Sequence, residues 1–242
     1  MTEFESDRSW LSKKAPDEHR VRKVQLGRHT ARLKCRYLAD MGELSDRFRQ
    51  DQWGLTEEAS FNYDAGTGDP RGPRTYARFC WDDSHLRFYM EVEDDDSIGS
   101  VNRNDVVWLG NNIEIILSPH WPAEPKLDEY EFLFNSTHGH ACLYWSGPSL
   151  EEALRWECRG LEWRLRSPLA FHPEAAGWSL EGRVPFVEFG VARPQLGHYW
   201  GLGLFRRHQL DGAPLLLAWS PPLTDPVRFH TPSRFGMLTF TE

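Results

Sequence analysis

Alternation dominates the chain from residue 75 onward. Apolar residues recur at every second position in TYARFCW (75–81), LRFYMEVED (86–94), NIEIILS (112–118) and YEFLFNS (130–136), and again in ACLYW, LEWRLRS, GWSLEGRVPF, YWGLGLF, LLLAWS and FGMLTFT. Strand side chains point to opposite faces in turn, so each segment offers one apolar face for burial. Ten or so such strands, punctuated by Gly, Pro, Asp and Asn, predict an all-β fold: an antiparallel β-sandwich with at most one or two short helices. The clearest hairpin joins TYARFCW to LRFYMEVED, because Asp82, Asp83 and Ser84 carry side chains that hydrogen-bond locally and close a tight turn. One helix is expected from Ser149 in SLEEALRWECR, where Ser149 and Glu152 have capping-box spacing. The tract NYDAGTGDPRGPR (62–74) reads as loop.

The segment VVWLGNNIEIILSP (106–119) places a carboxylate inside an apolar strand. Ile113, Ile115 and Leu117 fall on one face; Asn112, Glu114, Ile116 and Ser118 fall on the other, so Glu114 need not enter the core. Six extended residues would hold Trp108 about 20 Å from Glu114, too far to share a small ligand. Convergence requires a turn in LGNN, and Gly110, Asn111 and Asn112 are turn-forming residues. The plainer alternative has Trp108 capping the core edge and Glu114 paired with a surface arginine. Further on, AWSPPLTDPVRFHTPSRFGMLTF joins two strands through a loop of four prolines. Each proline fixes its own φ, so Trp219 and His230 sit on a pre-organised rim suited to a ligand, or on a loop that merely closes the sandwich.

Composition narrows the function. With 242 residues, 40% hydrophobic and 26% charged, the chain can bury a substantial core as one domain, taken as residues 37–242 after an N-terminal extension, residues 1–36. Eleven tryptophans exceed what filling such a core requires, which points to some being exposed for binding. A net charge of −8 argues against nucleic acid as a partner. The locally basic SKKAPDEHRVRKVQLGRHTARLKCR is interrupted by Asp17 and Glu18 and has no apolar face for a membrane. No run of 18 apolar residues and no secretory pattern is visible, so the default expectation is a cytoplasmic protein without a membrane partner, unless the natural chain starts earlier. Cys35, Cys80, Cys142 and Cys158 form no CxxC pair and are expected as reduced thiols.

In order along the chain, WDDSHLRFYMEVEDDD, NDVVWLGNNIEIILSP, YEFLFNSTHG, GWSLEGRVPF and WSPPLTDPVRFHTPSRFGMLTF together resemble the family 9 carbohydrate-binding modules and their wider kin, over roughly Leu38 to Phe240. The opening YLADMGELSDRFRQDQW resembles the start of these domains only loosely. The resemblance implies a β-sandwich, often with structural calcium, that holds a glycan end between two tryptophans while polar groups bond its hydroxyls. It matches Trp108 and Glu114 to the first tryptophan and the carboxylate, and Trp219 to the second tryptophan. Asn135 and Arg206 sit where further polar contacts to the sugar would lie, and His230 is on the same rim. A saccharide is the implied ligand, a glycan-active enzyme the implied partner, and no cofactor is required.

The sequence also offers residues for other chemistries. Glu91, Glu93, Asp94, Asp95 and Asp96 could offer hard oxygen ligands to calcium, although such runs are more often solvated hairpin ends. His138 and His140 could start a metal pair but lack an identifiable third ligand. A glycoside hydrolase would pair Glu114 with a second carboxylate such as Glu181, roughly 5 to 9 Å away. Glu181, however, alternates with Ser179 and Arg183, which reads as structural. A haem-binding subunit would use Met90 with a histidine, without any CxxCH attachment site. A scaffold that has lost sugar binding completes the alternatives.

Overall fold

The computed structural model describes residues 31–44, 47–94, 107–121, 129–145, 153–166, 168–210 and 213–242, with residues 153–155 as backbone alone. In chain order the strands are β1 (Arg32–Tyr37), β2 (Glu58–Asp64), β3 (Pro70–Trp81), β4 (His85–Glu93), β5 (Asn112–Ser118), β6 (Glu129–Phe134) and β7 (His140–Trp145). They continue with β8 (Ala153–Arg155), β9 (Glu162–Arg166), β10 (Gly177–Pro185), β11 (Tyr199–His208), β12 (Leu215–Ala218) and β13 (Gly236–Thr241). The single α-helix among the described residues, α1 (Gln50–Trp53), is one turn long. The all-β sandwich expected from the alternation is the observed fold.

One layer runs β8-β7-β6-β5-β11 and the other β3-β4-β10-β9, joined along one edge by the pairs β12–β2 and β13–β1. The first half of β11 pairs with β13 and the second half with β12, so one long strand feeds both joints. All pairings are antiparallel except those of β1, which lies parallel to β13 and β3. Alternation then sorts the side chains. Ile113, Ile115 and Leu117 of β5 share one buried core with Phe132 and Phe134 of β6, Phe88 and Met90 of β4, and Leu180 and Val184 of β10. Burial of each such side chain contributes about 1.5–3 kcal/mol. Met90 is fully enclosed there, so ligating a haem would require opening the core.

The β3–β4 turn forms as its residues predict: Asp82 Oδ1 accepts hydrogen bonds from the backbone N–H groups of Ser84 and His85, both at 2.8 Å. Other expectations need correction. Ala153–Arg155, placed in a helix by the Ser149 capping pattern, is strand β8, paired with Leu143 to Trp145 of β7. The unpaired ladder of an edge strand outweighs the local helical preference. Ser149 and Glu152 themselves lie outside the described residues. The tract 62–74 is less loop-rich than its composition suggests, since β2 runs to Asp64 and β3 starts at Pro70, with a bulge between Phe61 and Tyr63. Finally, β1 crosses the boundary drawn at residue 37, and Arg32 to Arg36 pair with Met237 to Thr241 as part of the sheet.

Candidate functional site

The outer face of the β7-β6-β5-β11 layer carries the densest collection of buried polar groups near Trp108. Because Ile113, Ile115 and Leu117 point inward, Asn112, Glu114 and Ile116 point outward, as the alternation requires. Register sets their neighbours: Glu114 stands opposite Leu133 of β6 and Phe205 of β11, Asn112 opposite Arg207, Ile116 opposite Glu131, and Glu129 opposite Trp145. Glu114 thus avoids the central core yet is only 7% exposed.

Trp108 reaches the same face through the turn that its spacing demands. Val107–Leu109 form a 3-10 turn, and the Asn112 side-chain amide donates to the carbonyls of Val107 and Gly110, both at 3.1 Å. This folds the chain back, so that half-buried Trp108 packs against the cluster of Val107, Leu133 and Ala141 rather than extending away from Glu114. Leu133 is the cross-strand neighbour of Glu114, so the two residues share one patch.

The proline-rich loop delivers His230 to this patch. Its Nδ1 lies 2.6 Å from Glu129 Oε2 and its Nε2 3.5 Å from Glu131 Oε2. The Trp145 indole N–H donates to the same Glu131 oxygen at 2.6 Å. Burial alone would lower the His230 imidazole, but Glu131 and Glu129 outweigh it and push it up to about 10, so the ring is an imidazolium at neutral pH. Burial, and then the adjacent Glu131, raise the Glu114 carboxyl well above the usual carboxylate range. Burial also acts on Glu131, but the His230 charge and the donors around it hold that carboxyl low. Glu114 therefore keeps the proton and Glu131 carries the charge, joined by a hydrogen bond.

Three side-chain atoms on this face are buried without a hydrogen-bond partner among the described residues: Asn112 Oδ1, Arg207 Nε and Glu129 Oε1. Leaving such an atom unsatisfied costs about 1–3 kcal/mol. Asn112 and Arg207 stand opposite each other at one end of β5, beside the Val107–Leu109 turn, and mark a place that a polar ligand would complete, whereas Glu129 lies at the far end of the face, one step beyond the Leu117–Tyr130 pair.

Of the residues singled out from the sequence, the fold brings together Trp108, Glu114 and His230. Trp219 is half-buried, packs against the inter-sheet core and covers Gly236, away from the Glu114 face. Arg206 points to the inner side opposite Ile113, bonding the Arg74 carbonyl at 3.3 Å and lying 3.8 Å from Asp94. Asn135 closes the β6–β7 turn, its Oδ1 accepting from Thr137 N–H at 3.0 Å and Gly139 N–H at 2.7 Å. Asp94 faces Arg206, while Asp95 and Asp96 lie outside the described residues, among which no three His, Cys, Asp or Glu side chains are grouped to hold a metal. His138 sits in a turn at φ 66°, and His140 lies against Trp163, with ring centroids 5.4 Å apart.

Glu129, Glu131, Trp145 and Arg207 were not anticipated. The alternation of Glu129 and Glu131 in EYEFLF places both on one face, but only the strand order shows that this face also holds Glu114. Glu181, the proposed catalytic partner, is on the outer face of the other layer, accepting from the Trp53 indole and from Arg166, both at 2.9 Å. Packed layers stand about 10 Å apart, so two carboxylates pointing away from each other across them cannot flank one glycosidic bond.

No protein-family profile matches the chain, and no curated protein does. Solved structures do. A protein from Bacteroides uniformis proposed to bind carbohydrate superposes with a TM-score of 0.65 at 16% identity, covering 88% of this chain and 100% of its own. A family 9 carbohydrate-binding module from Caldicellulosiruptor kristjanssonii in complex with cellotriose gives 0.59 at 15%, covering 87% and 93%. The module of that family and organism in complex with glucose gives 0.58 at 15%, covering 87% and 95%. At such identities the likeness is one of architecture: the chain shares the β-sandwich fold of these structures.

Proposed function

We propose that this chain is a non-catalytic carbohydrate-binding domain that takes a mono- or oligosaccharide end on the outer face around Trp108 and Glu114. The observation that carries the reading is the facing pair of unpartnered polar atoms, Asn112 Oδ1 and Arg207 Nε, at the end of the sheet face where the Asn112 side chain also holds the turn that bears half-buried Trp108. A pyranose has an apolar C–H face that buries against an aromatic ring, and a rim of hydroxyls that must be bonded once desolvated. Trp108 supplies the ring. Protonated Glu114, Asn112 and Arg207 supply both acceptors and donors. Fold likeness to modules bound to glucose and cellotriose supports the same ligand class. Such a site suits an affinity of about 1 μM to 1 mM, and a domain that brings a glycan-active enzyme to its substrate.

Hydrolysis fits less well. Glu114 is hydrogen-bonded to Glu131, with oxygens about 3 Å apart, closer than the ~5–9.5 Å that an acid and a nucleophile or base require. The test is calorimetric titration with glucose, cellobiose and cellotriose, with and without calcium. Saturable heat that Trp108→Ala abolishes is the expected outcome; the absence of heat with every saccharide, or heat unaffected by Trp108→Ala, overturns the reading.

A further inference from the structure

Two cysteines that the sequence separates meet in the fold. Cys142 is on β7, and its carbonyl accepts the Trp156 N–H at 3.1 Å, which continues the β7–β8 ladder past Leu143 and Arg155. A tight turn in which Cys158 N–H bonds the Trp156 carbonyl at 3.0 Å then folds the chain back. This leaves the Cys158 thiol hydrogen-bonded to that of Cys142. Both side chains pack at the margin of the main core and are half-buried, whereas Cys35 and Cys80 are completely enclosed.

We propose that Cys142 and Cys158 form a reversible disulfide that clasps the base of the β7–β8 hairpin. The chemistry needs an external disulfide such as oxidised glutathione. The Cys142 thiolate attacks one of its sulfurs and expels one glutathione thiolate, leaving a mixed disulfide. Cys158 then loses its proton, attacks the Cys142 sulfur and displaces the second glutathione thiolate. Two protein thiols are oxidised and one glutathione disulfide is reduced to two thiols. The order of steps follows from the contact: the hydrogen bond to Cys142, and then burial, hold the Cys158 thiol well above the usual range, so Cys158 keeps its proton through the first exchange and acts as the resolving thiol in the second. The clasp would act on the candidate site from behind, because Cys142 points inward on the strand whose outer face presents Trp145 to Glu131 and His230.

The test places the intact chain in glutathione buffers of graded redox poise and measures its mass, free thiols and thermal midpoint. In oxidising buffer the mass should fall by two hydrogens, two of the four cysteines should resist alkylation after denaturation, and peptide mapping should link Cys142 to Cys158. The midpoint should rise by roughly 5–10 °C, as expected for a cross-link closing a short loop. Cys142→Ser and Cys158→Ala should each abolish the mass change and the rise, and one of them suffices if the other folds poorly. Four reactive thiols throughout, or a link that involves Cys35, Cys80 or a second chain, would overturn the proposal. Either result is independent of saccharide titration.

Discussion

The His230 and Trp145 rings lie against each other, with centroids 3.8 Å apart and planes tilted by 34°. The cation that Glu129 and Glu131 hold in place thus also lies against an aromatic ring, and it adds a charged anchor to a surface loop that Phe229, stacked on Phe205, and the Trp121 indole, bonded to the Pro232 carbonyl, also tie to the sheet.

This fastening makes stability depend on alkaline pH. The folded value of His230 is raised above its unfolded value of 6.5 to about 10, so its contribution is complete below pH 6.5 and is lost as pH rises through about 10. Urea unfolding across that window should show a fall on the order of a few kcal/mol, and His230→Gln should flatten it. Parallel slopes for the two proteins would show that His230 is not the group responsible.

The proton on Glu114 predicts an asymmetry between two adjacent carboxyls. Glu114→Gln keeps a donor toward Glu131 and should change stability by less than about 1 kcal/mol. Glu131→Gln leaves the buried His230 cation with one fewer anion and the Trp145 indole with a weaker acceptor, and should cost about 3–5 kcal/mol. Chemical denaturation of both variants measures the difference, and equal effects would refute the placement of the proton.

Trp108→Ala should remove saccharide binding while costing less than the ~3–5 kcal/mol typical of a tryptophan truncated inside a core, because Trp108 is only half-buried against the cluster of Val107, Leu133 and Ala141. Titration and thermal melting of one preparation separate the two effects. Glu181→Gln provides the opposite control: saccharide heat unchanged, with stability reduced because the charge facing Arg166 is gone.

Gly236→Ala tests the assignment of Trp219 to packing. A Cβ at that position would lie 2.3 Å from Trp219 Cζ3 and 2.9 Å from the Ala31 carbonyl oxygen, and should cost about 1–3 kcal/mol. A thermal midpoint equal to that of the parent would mean that Trp219 can swing clear.

Much of this was legible from local pattern. Asp82 before Ser84 wrote its own turn, and the apolar beat of Ile113, Ile115 and Leu117 set the face of Glu114. The turn in LGNN was permitted by its Gly110, Asn111 and Asn112, and required by distance if Trp108 and Glu114 were to converge. What local pattern could not reveal was neighbourhood. Glu131 and Arg207 flank Glu114 because β5 lies between β6 and β11, and β11 arrives late in the chain. Trp219 and Arg206 lie off the Glu114 face for a reason of the same kind: a one-residue step along a strand moves a side chain from one face to the other. β8 escaped notice because Ser149 and Glu152 carry helix signals, whereas an available strand edge is a property of the assembled sheet.

The parallel pair formed by Arg32 with Met237 closes the sandwich with two segments separated by nearly the whole described chain. During synthesis on a ribosome, β1 precedes both of its partners: its end pairs with β3, but Arg32 to Arg36 find theirs only when β13 follows, and until then they present an open edge available to other chains. Its outward residues Arg32, Lys34 and Arg36 are exposed and cationic, and like charges on neighbouring copies would repel one another while that edge waits.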